Sequence, residues 1–276
     1  MSGPFCSVHT HSRLCDGTNS LSEMAWAAYE AGAAAFGASG HSHTPAPVDE
    51  GCTLPLDLTV YREEVLRLRE EFAGRMDVLL GIELDSRSDM AFSPADFDYW
   101  IGSVHHLYDG ETGAYHSVDY TPDALVQGCR ALCGGDFLTM AELYFKDVAQ
   151  MAARRPTILG HIDLITKFNG DGRFFDGDHP RYRSAALEAL HAADPVGTLL
   201  EINTGAMSRG WRSLPYPALF LLKEWRAMGG RVIFTADAHS AETIVYGYGE
   251  AAELARTAGF RQAALLTASG ITDSPL

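Results

Sequence analysis

The chain has 276 residues, a formal net charge of −15, 46% hydrophobic and 21% charged residues. That composition fills a core, excludes a disordered chain, and leaves no apolar run near the ~20 residues needed to span a bilayer. The acidic balance excludes nucleic acid as an expected partner but not a small phosphorylated substrate, because bound divalent ions reverse the field locally.

Taken in chain order, short apolar runs of strand length alternate with helical patterns. The expected strands are Phe5–His9, Ala34–Ser39, Asp77–Ile82, Tyr99–Val104, Thr157–Gly160, Gly197–Ile202, Arg231–Thr235 and Ala263–Leu266. Between the first two, Ser20-Leu21-Ser22-Glu23 reads as a capping box, with Gly32 as the left-handed stop. Asp57 is placed to cap the next helix, where Leu58, Tyr61, Val65, Leu68 and Phe72 recur at steps of three and four. Pro217 suits the first turn of a later helix and Gly229 its end. The alternation implies a parallel sheet, open or closed, in a single domain spanning 1–276. No glycine-rich dinucleotide fingerprint follows the first strand, and nearly every strand runs into a histidine or carboxylate, which favours a barrel.

Five cysteines without a CxxC pair argue against a disulfide framework. Cys129 and Cys133 share a helix face and are read as buried structural residues, with a soft-metal pair as the alternative. Met1 to Cys6 lacks a basic region followed by an apolar stretch, so a cytoplasmic setting is expected.

Eleven histidines stand out in the composition. His9 and His11, two apart on an extended strand, point to the same side and can reach one ion. Asp16 follows in Cys15-Asp16-Gly17. Later strands end in Gly40-His41-Ser42-His43, Glu83-Leu84-Asp85, His105-His106, His161-Ile162-Asp163 and Asp237-Ala238-His239. One histidine at a strand end is usually a hydrogen-bonded structural residue. Six strand ends each presenting His, Asp or Glu are not explained that way; a carboxylate bridging two ions, with imidazoles completing the shells, explains them. His116, His179 and His191 are expected to be outside this set. His43 and His106 each neighbour a better ligand candidate and are carried as substrate-binding candidates, with support of a ligand or a purely structural role as alternatives. Arg209, in the loop after Glu201-Ile202-Asn203-Thr204, has the fork geometry for phosphate oxygens.

The motifs His9-x-His11, Asp16, Gly40-His41, Glu83, Ser103-Val104-His105, Gly160-His161-x-Asp163 and Asp237-x-His239 resemble the PHP (polymerase and histidinol phosphatase) superfamily, in order along essentially the whole chain. Length and local details resemble its histidinol-phosphate phosphatase type. The resemblance implies a distorted (β/α)7 TIM-like barrel with three divalent ions, Zn, Fe or Mn. It assigns His9, His11, Glu83 and Asp237 to one ion. Glu83, His105 and His161 take a second, and Asp16, His41 and His239 a third. Arg209 falls at a phosphate-binding position, and Lys167 is the nearest basic residue after His161-Ile162-Asp163. The implied reaction is hydrolysis of a phosphate monoester, L-histidinol phosphate foremost, with Glu83, Asp16, Asp237 and His239 carrying the chemistry. Asp16 or a metal-bound water is the general acid. Rival readings are another small phosphoester or nucleotide as substrate, an amidohydrolase-like reaction, and a metal-binding domain without turnover.

Overall fold

The computed structural model describes residues 3–276. Its first strand, β1 (Cys6–Ser7), pairs in parallel with β2 (Ala35–Ala38), which pairs with β3 (Asp77–Leu80). The chain then breaks at Gly81-Ile82 and resumes as β4 (Glu83–Asp85). β4 pairs in parallel with β5 (Ile101–Ser103). An antiparallel hairpin follows, β6 (His106–Tyr108) with β7 (Tyr115–Ser117). The parallel series continues with β8 (Ile158–Leu159), β9 (Leu199–Asn203) and β10 (Arg231–Thr235).

These strands form a three-stranded and a five-stranded sheet. With β3 and β4 as halves of one interrupted strand, they give seven positions. The two sheets are joined by a parallel bridge from His41 to Glu83 and by another from Thr10 to Ala238. His11 N–H donates to the Ala238 carbonyl at 2.8 Å and Ala238 N–H to the His9 carbonyl at 3.1 Å. The sheet therefore closes on itself, and both joints lie among the expected ligands. This is the distorted barrel the sequence implied.

Helices α1 (Leu21–Glu30) and α2 (Thr59–Glu71) pack outside the first sheet. The Ser20–Glu23 capping box is formed, and Gly32 has φ +85°. α2 buries Tyr61, Val65 and Leu68 as the periodicity required. Asp57 acts one residue ahead of the helix boundary, its carboxylate accepting the Thr59 N–H at 2.9 Å. α3 (Pro122–Cys133) and α4 (Phe137–Ala153) separate β7 from β8. Cys129 is buried on α3 and Cys133 half-buried. α5 (Pro180–His191) leads to β9, and His179 caps it by accepting the Arg181 N–H. After β9 come the single turn α6 (Gly205–Ser208) and then α7 (Leu219–Ala227). Pro217 lies ahead of α7 rather than in its first turn. The segment before α7 is held elsewhere: Tyr216 pairs with Asn203, and the Ala218 N–H donates to Asp163.

α8 (Tyr248–Ala258) precedes β11 (Gln262–Thr267) and β12 (Gly270–Pro275), an antiparallel hairpin. The eighth expected strand is thus real but lies outside the parallel series. Ala264, Leu265 and Leu266 of β11 share an apolar cluster with Cys6, Val8, Leu79, Tyr99, Ile101, Ile158, Leu199 and Ile233. That cluster fills the barrel interior below the site, and the hairpin plugs that end. Tyr99 is its centrepiece. A Cβ on Gly37 of β2 or on Gly81 in the break after β3 would approach the Tyr99 side chain to 2.3 or 2.2 Å, so both positions need glycine. The Tyr99 hydroxyl donates to the Val8 carbonyl at 2.6 Å. No helix among the described residues is long and apolar enough to cross a membrane.

Candidate metal centre

At the opposite end of the barrel, residues immediately beyond the strands turn inward and are polar. His9 and His11 are fully buried, Glu83 and His161 nearly so. His9 Nε2, His11 Nε2 and Glu83 Oε2 have no hydrogen-bond partner, although each is shut off from solvent. Orphaned buried polar atoms are costly unless a further group satisfies them. Here the three orphans converge on one point.

The spacing fits a cation. Four donors 2.0–2.2 Å from one tetrahedral ion lie ~3.3–3.6 Å from one another. Glu83 Oε2 lies 3.2 Å from His9 Nε2 and 3.5 Å from His11 Nε2. Asp237 Oδ1 lies 3.7 Å and 3.2 Å from the same two nitrogens. The other oxygen of Glu83, Oε1, faces His161 Nε2 at 2.9 Å and His105 Nε2 at 3.3 Å. One carboxylate therefore addresses two donor sets with different oxygens. A third set lies nearer the mouth: Asp16 Oδ2 is 3.0 Å from His239 Nε2 and 3.6 Å from His41 Nε2. His11 also belongs spatially with this outer set, and His41 reaches back to Glu83 through Nδ1 at 2.9 Å. The structure thus brings together all nine ligand candidates.

Charge is arranged to match. Burial, reinforced by the rings of His239 and His41, pushes His11 down to about 3, so its ring is a neutral donor. Burial alone would raise Glu83, but His41, His9 and His105 hold it well below the usual carboxylate range. Asp16 is likewise depressed, against its burial, by His41 and His239. Asp237 has φ +47°, a left-handed backbone that Asp tolerates better than most residues and that turns its carboxylate inward. A Cβ on Gly205 would meet Asp237 Oδ2 at 2.7 Å, so glycine is required opposite.

Two carboxylates absent from the expected ligand set orient it. Glu201, fully buried on β9, accepts from His9 Nδ1 at 2.5 Å, Thr235 Oγ1 at 2.6 Å and the His161 N–H at 2.6 Å. Asp85 accepts from His105 Nδ1 and from the His105 N–H, each at 2.9 Å. With a cation bound, each Nδ1 contact would keep the proton on that nitrogen and leave Nε2 to the ion, the usual support for a metal-bound histidine. Both residues stood at strand ends in the sequence; only the fold shows which nitrogen each one holds.

A cavity of about 260 Å³ opens above the cluster, lined among others by Asp16, His41, His105, His161, Asp237 and His239. Arg209 and Lys167 line it too. Arg209 Nη2 lies 3.2 Å from Asp237 Oδ2, and Nη1 lies 2.9 Å from His239 Nδ1. Lys167 is engaged differently from expectation: its ammonium donates to the Asp119 carbonyl at 2.7 Å and carboxylate at 3.1 Å. His106 lines the cavity. His43 does not; its ring contacts Asp89 at 2.6 Å, and it lines a neighbouring groove that shares Thr44, Asp49 and Thr53 with the cavity. His116 sits on β7, and His191 contacts Glu224 at 2.7 Å; neither enters the cluster.

A parallel barrel with a histidine–carboxylate cluster at its mouth defines a divalent-metal-binding protein of the TIM-like class. Residues 7–205 match the PHP domain, and the chain belongs to that family. A Deinococcus radiodurans protein named "Probable histidinol-phosphatase" is 30% identical over 93% of this chain and 94% of its own length. Among solved structures, a candidate histidinol phosphatase from Listeria monocytogenes superposes with TM-score 0.74 at 18% identity, over 88% of this chain and 98% of that one. The histidinol phosphate phosphatase of Lactococcus lactis, solved with zinc, L-histidinol and phosphate, superposes with TM-score 0.66 at 22% identity, over 97% of this chain and 98% of that one. These two likenesses establish the shared barrel.

Proposed function

We propose that the chain, acting as one domain, is a metal-dependent phosphatase that hydrolyses L-histidinol phosphate to L-histidinol and phosphate. The observation that carries this reading is Glu83, whose two oxygens face two separate sets of histidine nitrogens, beside a cavity that His105, His161, Asp237 and Arg209 line. The name of the Deinococcus relative and the ligands held by the Lactococcus structure support the choice of substrate.

His9, His11, Glu83 and Asp237 would hold one divalent ion, Glu83, His105 and His161 a second, and Asp16, His41 and His239 a third. Zn, Fe and Mn all suit mixed histidine and carboxylate donors. When bound, such ions supply Lewis acidity, polarising the phosphoryl group and activating water for attack on phosphorus. The protein fixes the donors. Glu201 and Asp85 keep His9 and His105 in one tautomer, and the left-handed turn at Asp237 aims its carboxylate. Arg209, already held by Asp237, presents its guanidinium to the phosphoryl oxygens and stabilises charge that grows on them. Lys167, neutralised by Asp119, shapes the wall rather than gripping phosphate directly. A cytoplasmic setting is part of this proposal.

The test is phosphate release from L-histidinol phosphate by Mn- or Zn-loaded protein, against a panel of sugar phosphates, nucleotides and simple alkyl phosphates. The proposal expects strong preference for L-histidinol phosphate, abolished by a chelator. Release only from other esters would remove the substrate; cleavage of amides or lactones without phosphate release would remove the reaction.

A further inference from the structure

A phosphate-binding cavity with five aspartates in its lining presents an electrostatic puzzle. Four of them are accounted for. Asp16 is held by His41 and His239, Asp85 by His105, Asp119 by Lys167 and Asp237 by Arg209. Asp49 has neither an arginine nor a lysine partner among the described residues. It ends the 3₁₀ turn Pro47–Asp49, and its Oδ2 accepts from the Thr44 hydroxyl at 2.5 Å. Its Oδ1 faces His106 Nε2 at 3.4 Å.

His106 is the second, independent observation. It opens β6, is only 2% exposed, lines the same cavity, and has no hydrogen-bond partner at either ring nitrogen. Nε2 faces Asp49 Oδ1 across 3.4 Å without a formed hydrogen bond and Nδ1 has no partner, so this buried imidazole calls for a further polar group. Asp49 and His106 come from segments far apart in sequence and meet only at this wall. The loop carrying Asp49 also places Val48, Cys52 and Thr53 on the lining, so the wall joins a small apolar surface to one carboxylate and one imidazole.

We propose that Asp49 and His106 form a recognition subsite for a cationic nitrogen on the alcohol portion of the substrate. This deepens the phosphomonoesterase reading above and rests on it. Asp49 accepts from the charged nitrogen, Thr44 holds the carboxylate, and His106 offers its unpaired ring nitrogens to the same portion. A carboxylate with no arginine or lysine partner beside a phosphate site repels a plain anionic ester and favours a zwitterionic one, so the pair acts by rejection as well as attraction. Neither residue touches phosphorus; both are specificity determinants.

The experiment compares kcat/KM for L-histidinol phosphate and for a neutral-alcohol ester, glycerol phosphate, in metal-loaded wild type, Asp49→Asn and Asp49→Glu. Loss of one charge-assisted hydrogen bond should lower the ratio of the two values about ten- to a hundredfold in Asp49→Asn, with partial return in Asp49→Glu. Equal loss on both esters would overturn the subsite. Binding of L-histidinol itself by calorimetry gives a readout independent of turnover. The expected result is about tenfold weaker binding to Asp49→Asn, and unchanged binding would overturn the proposal. Absence of phosphate release by wild type, with histidinol binding still sensitive to Asp49, would remove the reaction and leave the subsite standing.

Discussion

The two ends of the barrel are built from the same strands and obey opposite rules. At the lower end Val8, Leu79, Ile101, Ile158, Leu199 and Ile233 fill the interior, and the hydroxyl of Tyr99 is satisfied by the Val8 carbonyl. One to four residues further along those chains, His9, Glu83, His105, His161, Glu201 and Asp237 are also largely or wholly buried, and several of their atoms have no protein partner. Each unpaired buried polar group costs about 1–3 kcal/mol, so the upper end is paid for by the lower one until a cation satisfies it. The apolar half gives stability and the polar half gives function; metal loading should therefore raise Tm through the upper end alone.

The sharpest way to break that contrast is Glu83→Gln. Removing the charge that faces two donor sets should lower turnover on the order of a thousandfold and reduce bound metal, read by phosphate release and by elemental analysis of the same sample. Near wild-type values for both would remove the bridging role. Glu201→Gln should be milder, about ten- to a hundredfold in metal affinity. A glutamine presents an amide N–H₂ to one side of a pocket where all the neighbours donate, so His9 loses its orientation. An unchanged metal titration would show that Glu201 only fills space.

Tyr99→Phe tests the other end. It strands the Val8 carbonyl and should cost about 1 kcal/mol of unfolding free energy by urea titration, with the same metal content as wild type. A fall in bound metal would show that the ends are coupled. The smallest effect concerns pH at a surface helix. Hydrogen bonds from Thr139 and Arg181 hold the α4 cap Asp136 down to about 2. Its folded value is depressed, so the stability it contributes is full above the unfolded value of ~3.9 and is lost as pH falls from there toward 2. In Asp136→Ala the urea midpoint should lack that share of the decline between pH 4 and 2. An unchanged acid profile would show that the cap contributes nothing there.

The candidate metal donors that the fold gathers were legible in the sequence because chemistry on a parallel barrel gathers beyond strand ends, and residue type and order suffice to find such positions. His9, Glu83 and His161 needed no knowledge of their neighbours. The supports did: Glu201 follows two leucines on a strand, and nothing local says that four donors converge on it. Lys167 was matched by position, but Asp119, arriving from the β7 loop, captured its ammonium. Pro217 looked like a helix start until the pairing of Tyr216 with Asn203 fixed the preceding chain. The β11 run has strand composition, and only packing against the barrel floor shows that it pairs antiparallel outside the ring. Local chemistry was readable; which distant group claims a given side chain was not.

Exposure also orders the three donor sets. Asp16, His41 and His239 lie toward solvent, whereas His9, His11 and Glu83 are sealed. A mild chelator should therefore empty the outer position first. The most direct measurement is metal content per chain, followed alongside phosphate release from L-histidinol phosphate as chelated protein is titrated with Mn or Zn. Release that rises with bound metal and levels off near three ions per chain is the expected result. Full release from metal-free protein, or three ions bound with no release, would contradict a metal centre built for phosphate ester hydrolysis.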